Sequence, residues 1–205
     1  MIRIKTCGVS DPAFIAKLNF FPVHAIGLMF YQASKRNVTI QQAKELVKRC
    51  SPFMQTVGVF VNPTAQFVRE VLADVSLNAL QFHGDEDESF CCQFDRPYIK
   101  AISVTNKTNF KQLEKSFSSA IALLLDNKQG GTGQRFNWSQ IPATFSKPLI
   151  IAGGINAENI TELVANHNVS AIDVSSGIEN ELGHKSIARL EQLINVLNKA
   201  EKLND

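Results

Sequence analysis

Cysteine is scarce in this chain, with four residues among 205: Cys7, Cys50, Cys91 and Cys92. No C-x-x-C pair occurs, and the adjacent Cys91-Cys92 suits neither an ordinary disulfide nor a zinc knuckle. Neither a disulfide framework nor a bound metal is therefore expected. A surplus of one charge is also missing. Lys and Arg number 21 against 19 Asp and Glu, a formal net charge of +2. There is no basic stripe of the kind that tracks nucleic-acid phosphates, and no acidic tail. No nucleic-acid partner is expected, and an anionic ligand must be held by a few placed groups. No apolar run approaches the ~20 residues that span a bilayer. The opening Met1-Ile2-Arg3-Ile4-Lys5-Thr6-Cys7-Gly8 alternates apolar and polar types and lacks the apolar stretch of a signal peptide. The expectation is a reduced, cytoplasmic protein with no membrane partner. Linkers and low-complexity stretches are absent as well, so one domain over residues 1–205 is expected.

What is present is an ordinary globular balance, 44% hydrophobic and 20% charged, arranged as a repeated alternation. Short β-rich runs cover residues 2–6, 24–30, 56–61, 79–83, 98–104, 120–126, 149–153 and 171–175. They recur at roughly the 20 to 30 residues of a βα unit. Helical patterns fill most of the gaps. Asp11-Pro12 reads as a cap with proline at the first helical position, leading into residues 13–19. Thr39 and Gln42 fit a capping box, followed by an apolar face of Ala43, Leu46 and Val47. Further helices are expected over 64–74, 86–94, 110–117, 158–167 and 186–203. Between Asp126 and Leu149, Gly130-Gly131-Thr132-Gly133 and Phe136-Asn137-Trp138 leave room only for a short helical turn. Alternation of this kind fits a closed eight-stranded barrel or an open doubly wound sheet. An open sheet usually carries fingerprint glycines after its first strand, and Cys7-Gly8-Val9-Ser10 offers one. The barrel, a single-domain (β/α)8 TIM fold of the α/β class, is the better fit.

In such a barrel the C-terminal ends of the strands converge on one site. Cys7 ends the first strand: a free cysteine there is either a small buried hydrophobe or a general base, the latter if positive charge favours its thiolate. Asp126 ends the apolar run Ile121-Ala122-Leu123-Leu124-Leu125. It is either a loop cap or, poorly solvated at the strand mouth, a general acid. Gly153-Gly154 follows the seventh strand and Ser176-Gly177 the eighth, the two loops from which barrels frequently build a phosphate cradle. Arg36, in the loop after the second strand, is a solvated charge or a carboxylate clamp. His83 is a polar wall of the pocket or a histidine satisfied by loop backbone. Residues 130–133 read as a lid. Glu86, Asp87 and Glu88 are assigned to a helix N-terminus, and Trp138 and Cys91-Cys92 to packing.

These blocks, in order, resemble the phosphoribosylanthranilate isomerase family of tryptophan biosynthesis. The similarity includes Lys5-Thr6-Cys7-Gly8, Ser34-Lys35-Arg36, Gln81-Phe82-His83-Gly84-Asp85-Glu86, Leu124-Leu125-Asp126, Ala152-Gly153-Gly154-Ile155-Asn156 and Asp173-Val174-Ser175-Ser176-Gly177-Ile178-Glu179. The resemblance implies a cofactor-free Amadori rearrangement of a small phosphoribosyl substrate, in a monomer or homodimer. Asp126 would be the acid that opens the ribose ring and Cys7 the base that removes the C2 proton. Arg36 would hold the anthranilate carboxylate, and the backbone of Gly153, Gly154, Ser176 and Gly177 the phosphate. Thr6, Asn37, Phe82 and Ser186 depart from the family's usual residues. A sister barrel of histidine biosynthesis is similar but carries a carboxylate where Cys7 stands. A third reading is a barrel without activity that senses a phosphate ligand, and the pairing of Cys7 with Asp126 disfavours it.

Overall fold

The computed structural model describes residues 1–127, 135–166, 169–181 and 184–203. Eight parallel strands close into a barrel in sequential order. They are β1 (Arg3–Cys7), β2 (Ala25–Phe30), β3 (Gln55–Phe60), β4 (Ala79–Phe82), β5 (Tyr98–Ser103), β6 (Ala122–Asp126), β7 (Leu149–Ile151) and β8 (Ala171–Val174). Pairing of β1 with β8, which sets Lys5 opposite Asp173, closes the ring and rules out the open sheet. Seven α-helices are present among the described residues: α1 (Pro12–Leu18), α2 (Ile40–Val47), α3 (Ala65–Asp74), α4 (Glu88–Cys91), α5 (Phe110–Ser116), α6 (Ile160–Asn166) and α7 (Ile187–Lys202). Between β6 and β7 the described residues form only a 3-10 turn, Trp138–Gln140.

Local chemistry starts the helices where the sequence places them. Asp11 accepts a hydrogen bond from the Ala13 N–H and Pro12 opens α1. Thr39 and Gln42 form the reciprocal capping box of α2. The helix expected over 86–94 is shorter and broken, with α4 followed by a 3-10 turn, Cys92–Phe94. Asp87 caps it and Glu88 lies in its first turn. Glu86 corrects the sequence reading, because it is buried and paired with Lys100 instead of facing the helix end. Cys91 is core, whereas Cys92 is exposed.

Period-two alternation divides the strand side chains into two layers. Leu123 and Leu125 of β6 join the core between strands and helices. Ala122 and Leu124 join a separate cluster with Ile99, Ala101, Ile150 and Ala152, which fills the lumen of the barrel. On the outer face Phe30, Phe60 and Phe82 are directly opposite one another in β2, β3 and β4. Their ring centroids are 5.3 and 6.0 Å apart. Burial of one phenylalanine contributes roughly 1.5–3 kcal/mol. A one-residue slip would turn the whole ladder inward, so it fixes the register at the ends of these strands. Two elements after β8 have no counterpart in the sequence reading. One is a 3-10 turn, Ser176–Ile178, and the other a hairpin of β9 (Glu179–Glu181) and β10 (His184–Lys185).

Candidate active site

The C-terminal ends of the strands surround one cavity. Cys7, Arg36, His83, Asp126, Gly153, Gly154 and Ser176 all line it. Gly177 does not; it lines an adjoining hollow of about 400 Å³ that shares Gly154 and Ser176 with the first. The segment 130–133, read as a lid, lies outside the described residues.

Cys7 ends β1 and is 6% exposed. Burial pushes its thiol pKa up, Asp173 adds to this, and Lys5 and Lys185 pull the other way without prevailing. The expected positive charge is therefore present but outweighed. Lys5 lies two residues before Cys7 on the same inward face. Its ammonium is 2.9 Å from Asp173 Oδ1. Burial lowers the Lys5 pKa, but Asp173 and Cys7 outweigh it and leave it raised.

Behind Cys7 runs a chain of hydrogen bonds. Ser175 Oγ donates to the Cys7 carbonyl at 3.0 Å, and Lys185 Nζ donates to Ser175 Oγ at 2.9 Å. Lys185 also pairs with Glu179. Burial lowers the Lys185 pKa, and its bond to Glu179 only partly offsets this. Glu179 in turn grips Arg36 through two bonds, Nε at 2.7 Å and Nη2 at 2.9 Å. One edge of the guanidinium is thus committed to the protein. A carboxylate in the cavity has to use the edge that carries Nη1. Sequence reading gave Glu179 and Lys185 no role, because 143 residues separate Arg36 from Glu179.

Across the cavity Asp126 ends β6 and is 5% exposed. Its Oδ1 accepts from the Asn127 N–H at 2.7 Å, and its Oδ2 is 3.3 Å from His83 Nε2. His83 Nδ1 is 3.0 Å from the amide nitrogen of Gln81. The backbone on either side of His83 is fixed by Lys100, whose ammonium donates to the carbonyls of Phe82 and Gly84 at 3.4 and 2.6 Å. The same ammonium is 2.8 Å from Glu86, which also accepts from the N–H groups of Asn62 and Gly84 at 2.7 and 2.9 Å. This knot joins the ends of β3 and β4 to the middle of β5. Gln81, Lys5 and Lys100 were missed as supporting residues. The available signal was a long polar side chain at a fully buried strand position, where only a specific partner offsets desolvation.

The third corner is an anion cradle. Gly153 and Gly154 have φ of +81° and +67°, the left-handed region that side chains disfavour. The loop after β8 approaches so closely that a Cβ on Gly177 would lie 1.9 Å from the Ile155 carbonyl oxygen. Bare backbone at this junction gives an anion access to main-chain N–H groups. Thiol, carboxyl and cradle around one cavity can bind a phosphorylated sugar, protonate it at one point and deprotonate it at another.

A family model described as N-(5'phosphoribosyl)anthranilate (PRA) isomerase matches residues 4–196. The N-(5'-phosphoribosyl)anthranilate isomerase of Neisseria meningitidis serogroup C is 40% identical over 205 residues, which covers 98% of this chain and 99% of that protein. Among solved structures, phosphoribosyl anthranilate isomerase from Thermotoga maritima superposes with a TM-score of 0.86 at 30% identity, covering 97% of this chain and 100% of that one. A second, at 29% identity and a TM-score of 0.84, covers the same shares; it is an isomerase of this name in complex with reduced 1-(o-carboxyphenylamino)-1-deoxyribulose 5-phosphate. Matched by the family model over nearly its whole length and by a relative at this identity, the chain belongs to the N-(5'-phosphoribosyl)anthranilate isomerase family.

Proposed function

We propose that this chain catalyses the reaction for which its family is named. It converts N-(5-phosphoribosyl)anthranilate to 1-(2-carboxyphenylamino)-1-deoxyribulose 5-phosphate in tryptophan biosynthesis. The observation that carries the reading is the pair of Cys7 and Asp126 lining one cavity whose rim is the Gly153-Gly154 and Ser176 loops.

The reaction is an internal transfer of hydrogen and needs no redox partner. Protonated Asp126 gives its proton to the ribose ring oxygen as the bond from C1 to that oxygen breaks. The nitrogen lone pair of the substrate forms the C1=N double bond, leaving an iminium. The Cys7 thiolate then takes the C2 proton, and the electrons of that C–H bond form C1=C2 and neutralise the nitrogen. The enolamine gains a proton at C1 and loses the one on the C2 hydroxyl, giving the ketone. The iminium made in the first half adds positive charge beside Cys7. That favours the thiolate at the stage when it is required and opposes the burial that pushes the thiol pKa up. Arg36 meets the anthranilate carboxylate with its free edge, His83 backs Asp126, and the backbone of Gly153, Gly154, Ser176 and Gly177 receives the phosphate.

Turnover of purified protein on N-(5-phosphoribosyl)anthranilate tests this directly, with the histidine-pathway phosphoribosyl amine as the control. Asp126→Asn should lower kcat by about 10²–10⁴ with KM little changed. Turnover of the control alone, or a change confined to KM, would reject the assignment. A single domain over residues 1–205, in a monomer or homodimer, is also proposed, and sedimentation with limited proteolysis measures both.

A further inference from the structure

We infer that Gln81 is the positioning residue that directs the acid's proton to Asp126 instead of to His83. It does so by holding the His83 imidazole as its Nε2–H tautomer through the 3.0 Å contact of its amide nitrogen with Nδ1. The inference rests on the isomerase reading, in which Asp126 is the acid.

A histidine beside an aspartate poses a problem for such a mechanism. In water an imidazole holds its proton to a pH roughly 2–3 units higher than a carboxyl does. The pair therefore ordinarily takes up a proton on the ring, which would make His83, not Asp126, the group that carries the acid's proton. Gln81 removes that option. It precedes His83 by two residues, so both side chains face inward, and it is fully buried. An amide N–H aimed at Nδ1 occupies that lone pair, and a second proton cannot be added there. Nε2 keeps its hydrogen and donates it to Asp126 Oδ2, 3.3 Å away. The next proton taken up by the pair must go to the carboxyl, where Asn127 N–H already occupies Oδ1.

Two further observations support a dedicated role. Among the described residues the Gln81 amide bonds only to His83, and its oxygen has no partner. An apolar side chain of the same shape would serve the core better, so the polarity of Gln81 serves its neighbour. The His83 backbone is also clamped on both sides by Lys100, which prevents the ring from swinging away. Among the described residues, the charged and titratable groups that line the same cavity are Cys7 from β1, Arg36 from the loop after β2 and Asp173 from β8. Lys100 and Glu86 lie behind it.

Nitrogen-15 NMR of the imidazole rings in the full-length protein reads the tautomer directly, with His83 identified by its loss in His83→Asn. The expected spectrum at pH 7 shows the Nε2–H form. In Gln81→Glu a carboxylate oxygen faces Nδ1 and should draw a second proton onto the ring. At pH 7.5 His83 then appears as imidazolium, and kcat falls at least tenfold with KM within about twofold. Acidification should reverse this: Asp126 takes up the added proton, the Nδ1 proton passes to the carboxylate at position 81, and the acid is restored. The ratio of variant to wild-type kcat should climb at least fivefold between pH 7.5 and 5.5, which a merely structural lesion would not produce. Wild-type His83 seen as Nδ1–H or as imidazolium at pH 7 overturns the inference, as does a Gln81→Glu enzyme with wild-type kcat at pH 7.5. If the variant does not fold, the wild-type spectrum decides alone. An absence of isomerase turnover would strike the functional reading, while the spectrum would still judge the contact between Gln81 and His83.

Discussion

Gly177→Ala is the sharpest probe of the anion cradle. The added methyl would be 1.9 Å from the Ile155 carbonyl oxygen and 2.8 Å from its carbon, both main-chain atoms. Real Cβ atoms stay beyond 3.0 Å of such neighbours, so the two loops must separate by at least 3.0 − 1.9 = 1.1 Å. Overpacking of this kind costs about 1–3 kcal/mol of stability. The functional loss should exceed what that cost suggests, because Gly177 borders the hollow it shares with Gly154 and Ser176. A displacement near 1 Å in substrate-positioning structure can cost ~10²-fold in rate. We expect kcat/KM to fall by about that factor, chiefly through KM, and inhibition by inorganic phosphate to weaken in parallel. Steady-state kinetics with phosphate as competitor, together with urea unfolding, separates the two effects. Wild-type KM and wild-type phosphate inhibition in a folded variant would refute the placement of the phosphate between these loops.

Other expectations are simpler. Lys100→Met strands the Glu86 carboxylate in a site where each side chain is 3% exposed. Loss of one partner from a buried pair costs about 3–5 kcal/mol. The two backbone N–H groups that Glu86 retains place the expectation near the lower end, and Lys100→Met combined with Glu86→Gln should recover part of it in urea titrations. Burial pushes the Cys50 thiol up to about 11 and the Cys91 thiol up to about 12. Raised above the ordinary ~8.5 of an unfolded thiol, these groups contribute stability that is intact below that pH and lost as pH rises through the folded values. Tm should therefore decline from pH 8.5 to 11, less steeply in Cys91→Ala, and equal slopes would contradict the burial argument. Iodoacetamide at pH 7 should label exposed Cys92 well before Cys7, which is buried and held neutral. Mass spectrometry showing Cys7 labelled first would refute that description of its surroundings.

Much of this molecule was legible in its sequence because its signals are local or periodic. Each barrel strand was visible as a short β-rich run, and each lay within a residue or two of its place. Cys7 stood out as the end of the first strand and Asp126 as the polar end of an apolar one, and the caps Asp11 and Thr39 announced themselves within four residues. What escaped is long-range or aperiodic. The hairpin of β9 and β10 comes from a polar stretch with neither strand nor helix periodicity. Glu86 looked like one of three acids at a helix start, and only the arrival of Lys100 from the next strand identifies it as a buried ion. Gln81 stands out as a polar residue in an apolar run, but the partner that gives its amide a task, His83, is fixed only by the folded geometry.

The seam between β1 and β8 has a consequence for biosynthesis. Synthesis runs from the amino terminus, so Cys7 is made well before the partners that set its surroundings, Asp173, Ser175 and Lys185. A separation of 168 residues lies between it and Ser175. A nascent or truncated polypeptide therefore carries the nucleophilic sulfur without its cage. Such fragments should be inert towards substrate yet more open to alkylation and oxidation than the finished enzyme.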